Sequence, residues 1–140
     1  MSDRGERGSA IVEFHLLGLV LLVPLIYVLL AALDVQRTSY AVTQAAREAG
    51  RLFVASGEES AARRAAAVAL GDHGVEVDAT QISFACSVTP CYQPGAEVRV
   101  VVDAVVPLPF LPDVLAGAVN AQVPVSATHV SVVDRFRELP

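Results

Sequence analysis

The chain has 140 residues, enough for one domain, with a formal net charge of −5 and a mean hydropathy of +0.52. The positive hydropathy argues against a disordered chain, and the shortage of basic residues argues against a nucleic-acid partner. The apolar residues are unevenly spread, because residues 14–33 include no Asp, Glu, Lys or Arg. Twenty helical residues span about 30 Å, the hydrocarbon thickness of a bilayer, so the sequence predicts a single-pass membrane protein.

The amino-terminal third is predicted to be one long helix with a polar leader. Residues 1–8 are polar and are expected to form a short flexible leader, and the helical pattern begins at Ser9. Residues 9–33 form the predicted transmembrane helix, in which Pro24 is tolerated as a kink. Basic residues tie at two on each side of the span, so the charge rule does not orient it. The short leader and the larger following domain favour a cytoplasmic amino terminus and an exported carboxy-terminal domain.

Residues 34–55 are predicted to continue the helix as an amphipathic stem. Apolar side chains recur there at helical spacing, at Val35, Val42, Ala45, Ala49 and Phe53. The following segment, residues 56–59, indicates a break in the helix. A second helix is expected from residue 60, ending at residues 71–74.

The predicted exported domain comprises residues 56–140 and is expected to be α+β, with mainly strands after the second helix. Apolar residues alternate with others over residues 82–88 and again over residues 97–103, and residues 89–95 carry the prolines and glycine of a hairpin loop. A short helix is expected over residues 113–119 and a last strand over residues 122–133. The predicted fold class is therefore α+β, with the long helix packed on a small antiparallel sheet.

The junction between leader and span carries the most informative motif. Gly8 is followed by four residues, then Glu13 and Phe14, at the start of the apolar segment. This pattern resembles the cleavage signal of class III prepilins in the type IVb, tight-adherence (Tad or Flp) pilus system. The next part of the chain is similar to TadE-like minor pseudopilins, with Asp34 after the span and an alanine-rich tail over residues 45–51. The resemblance covers residues 8–54 and implies a pilin-like fold.

The resemblance implies that a prepilin peptidase cuts between Gly8 and Ser9, which exposes a new amine. Glu13 lies one helical turn further and is expected to pair with that amine, in its own chain or a neighbour, and so to set register during assembly. The implied partners are the prepilin peptidase, an inner-membrane platform protein, the major pilin, other minor pseudopilins and membrane lipid. The implied role is structural, in an adhesive pilus or its secretion machinery at the cytoplasmic membrane, with no cofactor.

Simpler interpretations remain open for the same residues. Glu13 fits a carboxylate at the start of a helix, and Asp34, which we place with Tyr40 at the membrane edge or on the stem, fits a cap on the water-facing end of the span. The alternative function is a membrane-anchored exported binding or scaffold protein that is not processed as a prepilin. Release by ordinary signal peptidase near Ala31 and Ala32 is a further alternative, although the apolar run exceeds the ~7 to 15 residues of a signal peptide.

The cysteines and the polar residues of the last strand do not indicate a catalytic or metal site. If the domain is exported, Cys86 and Cys91 are expected to form a structural disulfide that closes the hairpin loop. No histidine lies near them to complete a zinc site, and their spacing differs from the redox motif. Strand alternation places Ser126 and His129 on opposite faces, which argues against a hydrolase triad and for a protein that is not an enzyme.

Overall fold

The computed structural model describes residues 6–108 and 122–136, with side chains described from Ala10 onward. The elements in chain order are α1 (Glu6–Ser56), α2 (Glu59–Asp72), a short 3-10 turn (Val77–Ala79), β1 (Thr80–Cys86), β2 (Glu97–Pro107) and β3 (Gln122–Val132). The three strands form one antiparallel sheet in the order β1-β2-β3. The predicted α+β fold, a long amino-terminal helix packed on a small antiparallel sheet, is confirmed. The chain divides after Leu33 into two compact units.

The first unit contains the amino-terminal part of α1. The helix begins at Glu6, three residues before the predicted start at Ser9, so residues 6–8 are helical where a flexible leader was expected. Pro24 lies inside α1 without ending it. The predicted helix over residues 9–33 is confirmed.

In the second unit, α1 supplies one wall of the core. Four of the five predicted stripe residues are buried, and Val35, the first residue of the stripe, is half-buried. Small side chains let the helix approach the sheet closely: a Cβ added at Gly50 would lie 2.5 Å from Ser131 Oγ on β3. Phe53 packs against Phe84 of β1, with ring centroids 5.7 Å apart. The stem is therefore a core helix of its own domain, as its periodicity predicts.

The second helix closes the other side of the core. Its buried residues recur at helical spacing, at Ala62, Ala66, Ala69 and Leu70. Gly57, with φ +75°, provides the break after α1, and Gly74, with φ +67°, follows the end of α2. Arg63 connects α2 to β1, because its guanidinium donates to the Ile82 carbonyl at 2.9 Å and lies 5.2 Å from the Phe84 ring centroid. The predicted second helix is confirmed, beginning one residue earlier, at Glu59.

The sheet turns one face to the helices and leaves the other outward. On the central strand β2, alternate residues from Val98 to Val106 are buried, while Asp103 and Val105 point to the opposite face. β1 and β3 show the same alternation with half-buried inner residues. β3 is an edge strand, which explains how it accommodates Pro124. The alternation predicted for β2 and β3 is confirmed.

The first strand is shorter than the alternation predicts. Val88 was expected to continue the alternation of β1, but β1 ends at Cys86 and Val88 is exposed. The reason is the turn: the Ser87 N–H donates to the Glu97 carbonyl and the Ser87 hydroxyl oxygen accepts from the Glu97 N–H, both at 2.9 Å, which directs the chain away from the sheet. The short helix expected over residues 113–119 lies outside the described residues.

Candidate functional site

The first candidate site is the surface of the apolar part of α1. Side chains from Ala10 to Leu33 are exposed, apart from Tyr27 and Ala31, which are half-buried. The most apolar 18 residues of the helix have a mean hydropathy of 2.9, and none of them is buried. A core helix of a soluble domain would bury such side chains, since each large apolar group gains about 1.5–3 kcal/mol on leaving water. The chain thus has one amino-terminal helix that is long and apolar enough to cross a membrane.

Glu13 is the one acidic side chain within this apolar surface. It is exposed, lies between Val12 and Phe14, and has no ion pair or hydrogen bond within the described part of the chain. Ser9 lies one helical turn before it in α1, so both backbone positions share one side of the helix. Gly8 is also helical. The structure therefore brings the motif residues onto one continuous helix and leaves the Glu13 carboxylate available.

Phe14 and His15 complete the motif region. Phe14 is 75% exposed, and its ring meets the His15 ring edge-on at 6.1 Å. The Nδ1 of His15 lies 2.8 Å from the Ile11 carbonyl, which can only accept, so Nδ1 carries the proton in this contact. His15 thereby satisfies one polar nitrogen within its own helix, which lowers the cost of placing an imidazole beside an apolar segment.

Asp34 lies at the start of the second unit, in a groove with Thr38 and Glu76. Its Oδ1 is 3.9 Å from Arg37 Nη2, and both side chains are about half exposed, so this ion pair contributes little. Thr38, one turn further, is the buried polar residue of the stem. The carboxylate of Asp34 is therefore partly solvated within the continuous helix α1, a position that suits the water-facing end of the span and a partner contact equally.

Tyr40 projects from the side of α1 that faces away from the core. Its side chain is 72% exposed and lines a groove with Gln44, Arg47 and His73. The His73 Nε2 lies 3.4 Å from Gln44 Oε1, which joins the end of α2 to this side of the stem. Helical and strand periodicity do not group His73 with Tyr40, because packing of α2 on the stem brings them to the same groove.

Cys86 and Cys91 are joined by a disulfide, with their Cα atoms 5.4 Å apart. The residue that follows Cys91 packs on the turn between the helices: a Cβ added at Gly57 would lie 2.9 Å from the Tyr92 ring. Gln93 Nε2 also donates to the Pro90 carbonyl at 2.8 Å. The predicted disulfide is present, and its surroundings are those of a structural crosslink.

The polar residues of β3 do not come together. Ser126 is on the exposed face of the strand, whereas His129 is half-buried and faces Gly50 of α1, as the alternation predicts. The Oδ1 of Asp134 accepts a hydrogen bond from the Phe136 N–H at 2.9 Å. Within residues 6–108 and 122–136, no three His, Cys, Asp or Glu residues are grouped as metal ligands.

Comparisons of the chain with protein-family models, with curated proteins and with solved structures find no match. The functional assignment therefore depends on the residues and geometry of this chain alone.

Proposed function

We propose that the chain is a TadE-like minor pseudopilin of the tight-adherence pilus system. In this proposal the precursor is inserted through the apolar part of α1, with its amino terminus in the cytoplasm and its disulfide-containing domain outside the membrane. A prepilin peptidase cleaves after Gly8. The mature chain then takes part in assembly of an adhesive type IVb pilus or its secretion machinery, together with a platform protein, the major pilin and other minor pseudopilins.

The observation that carries the proposal is Glu13, an unpaired carboxylate within an exposed apolar helix. An acidic residue at the centre of a membrane span costs about 3 kcal/mol on insertion scales, and less near the headgroups, so a cationic partner would lower the cost of burying Glu13. Cleavage after Gly8 would create an ammonium group at Ser9, one turn from Glu13. The amine of the same chain or of a neighbouring helix would then neutralise the carboxylate and fix the relative height of the helices.

Gly8 fits the cleavage step for a backbone reason. A peptidase binds its substrate in an extended conformation, and the bond after Gly8 lies in α1. Glycine costs a helix about 1 kcal/mol relative to alanine, so the first turn opens more readily at Gly8 than at another residue. The motif thus combines a cleavage position at which the helix unwinds easily with the Glu13 carboxylate, which would pair with the ammonium group formed at Ser9.

The proposal is tested by measuring the intact mass and the amino-terminal sequence of the full chain from native membranes, with and without the prepilin peptidase. We expect a chain that begins at Ser9 only when the peptidase is present. Gly8→Val should abolish cleavage because the side chain restricts the backbone at the cut. Glu13→Ala should still be cleaved but should lose pilus assembly, whereas Glu13→Asp should retain part of it.

The matched control is Glu58→Ala, which removes an exposed carboxylate outside the motif, in the turn between the two helices. It should change neither cleavage nor assembly. A chain that begins at Met1 or Ser2 in both strains would contradict the pseudopilin assignment. That result, with full function in Glu13→Ala, would instead identify a membrane-anchored exported binding or scaffold protein.

A further inference from the structure

Beyond the span, the second unit has a groove on the outer side of α1 that carries positive charge. We call it the basic groove; it is lined by Tyr40, Thr43, Gln44, Arg47, Glu48 and His73. Arg51 pairs with Glu48 through two hydrogen bonds of 2.8 and 2.9 Å, which neutralises that carboxylate. Arg47 is exposed and forms no ion pair with any described residue. The groove therefore presents one free cation beside a largely exposed aromatic ring.

A second groove lies on the outward face of the sheet and carries the opposite charge. We call it the acidic groove; it is lined by Asp78, Ala79, Thr80, Gln81, Asp103, Ala104, Val105, Pro124, Val125 and Ser126. Asp78 and Asp103 are both exposed, and neither pairs with a described basic side chain. Val105, which is 44% exposed, and Pro124 supply an apolar rim beside the two carboxylates.

The two grooves lie on opposite sides of the domain. On α1, residues such as Val42 and Ala45 are fully buried in the core, so the side with Tyr40 and Arg47 faces away from the sheet. On β2, Val102 is buried in the same core, so its neighbour Asp103 faces away from the helices. The helix layer and the sheet layer thus separate the positive groove from the negative one.

We propose that the basic groove of one copy docks on the acidic groove of a second copy of this chain. Arg47 would meet Asp103 and Asp78, and Tyr40 would pack on Val105 and Pro124. The spacings agree, since Tyr40 and Arg47 are roughly 10 Å apart along the helix and Asp103 and Val105 roughly 7 Å apart along the strand, a difference that long side chains cover. Tyrosine and arginine are also the residues that most often anchor protein interfaces.

A second copy would supply an opposite charge to both grooves, whereas a membrane surface would not. An anionic lipid headgroup would neutralise Arg47 but would leave Asp78 and Asp103 without a cation. The contact joins two different surfaces, which lie on opposite sides of the domain. Each pair of copies therefore keeps one free basic groove and one free acidic groove, and further copies can add in one direction. This inference does not rest on processing after Gly8, since the grooves are present in the uncleaved chain.

The test is sedimentation of the full, uncleaved chain in a nonionic detergent over a range of protein concentrations. The unmodified chain should form assemblies larger than dimers that dissociate as ionic strength rises. Arg47→Glu and Asp103→Arg should each weaken association by about tenfold or more, because each places like charges opposite one another. The double variant should recover association, since it restores opposite charges with the signs exchanged.

Mixing the two single variants tests whether the two grooves bind each other. The Asp103→Arg chain keeps its basic groove, the Arg47→Glu chain keeps its acidic groove, and the two altered positions carry opposite charges. An equimolar mixture should therefore form the larger assemblies that neither variant forms alone. The matched control is Arg64→Glu, which makes the same charge change at an exposed arginine of α2 outside both grooves. It should associate like the unmodified chain.

Three results would overturn the inference. The first is an unmodified chain that stays monomeric at every concentration, and the second is a double variant that associates no better than the single variants. The third is an Arg47→Glu chain with unchanged self-association but reduced binding to vesicles containing anionic lipid, which would assign the basic groove to a membrane surface. Circular dichroism of every variant confirms that the fold is retained before association is compared.

Discussion

Val20 and Val100 carry the same side chain, but Val20 is 61% exposed and Val100 is fully buried. The difference extends to the two units that contain them. Up to Leu33 the apolar residues surround the helix on all sides, and most of them are not covered by any residue that the structure describes. From Asp34 onward one side of each helix and strand is apolar and at least half-buried, and these sides meet in a common core.

This contrast shows that one helix can satisfy two different environments in turn. A helix that is apolar on every side requires an apolar environment such as lipid. An amphipathic helix instead buries its apolar side by packing it on a sheet. In α1 the change occurs near Asp34, where charged residues begin to alternate with the apolar stripe. Matched substitutions on either side of this point measure how independent the two parts are.

The largest effect is expected from placing a carboxylate at the two valines. Val100→Asp should lower the free energy of unfolding by about 4 kcal/mol or more, because the charge enters a core with no partner for it. Val20→Asp should leave the unfolding of the domain unchanged but raise the cost of membrane insertion by about 3 kcal/mol. Urea titration of the full chain in mild detergent, followed by circular dichroism, measures the unfolding free energy of each variant. The membrane-bound fraction of each variant measures its insertion. Equal loss of stability in both would contradict the division at Leu33.

A smaller effect is expected from removing an aromatic ring. Phe53→Ala should destabilise the domain by about 3–5 kcal/mol, because Phe53 is 4% exposed and packs on Phe84. Phe14→Ala, at a ring that is 75% exposed, should change the unfolding free energy by less than about 0.5 kcal/mol. The same titration compares them. A Phe14 variant as unstable as the Phe53 variant would mean that the span contributes to the core.

The smallest effect is expected at the two glycines of α1. A Cβ at Gly50 would lie 2.5 Å from Ser131 Oγ, whereas a Cβ at Gly18 meets nothing within 4 Å. Gly50→Val should therefore cost about 1–3 kcal/mol through overpacking, despite the better helix propensity of valine. Gly18→Val should change stability by less than about 0.5 kcal/mol. Thermal unfolding of both variants in the same detergent checks the difference, and an unchanged midpoint for Gly50→Val would rule out the close approach of α1 to β3.

Most of the fold could be predicted from periodicity. The stripe that ends at Phe53, the alternation on β2 and the turn residues of the hairpin loop each depend on residues close in sequence, and each agrees with the structure. The errors lie at the ends of elements. The strand end at Cys86 depends on side-chain hydrogen bonding, such as that of Ser87, that periodicity does not report, and the helix start at Glu6 precedes the apolar pattern.

The candidate site was predictable only in part, for a similar reason. The motif of Gly8 and Glu13 is local, so the sequence places it directly. The basic and acidic grooves depend on tertiary packing that brings His73 to Tyr40 and Asp78 to Asp103. In the sequence, Tyr40 on the polar side of the stem indicates an exposed aromatic ring. It does not predict which other residues line the basic groove.

The loop closed by the disulfide has a further consequence for the lifetime of the domain. A protease must draw several residues of extended backbone into its active site, and exposed loops are where it usually finds them. Here the backbone is crosslinked between Cys86 and Cys91, its Tyr92 ring rests on Gly57, and the Gly95 N–H donates to the Val133 carbonyl at 2.9 Å. The exposed tip is thus withheld from digestion until the loop is reduced or the domain opens.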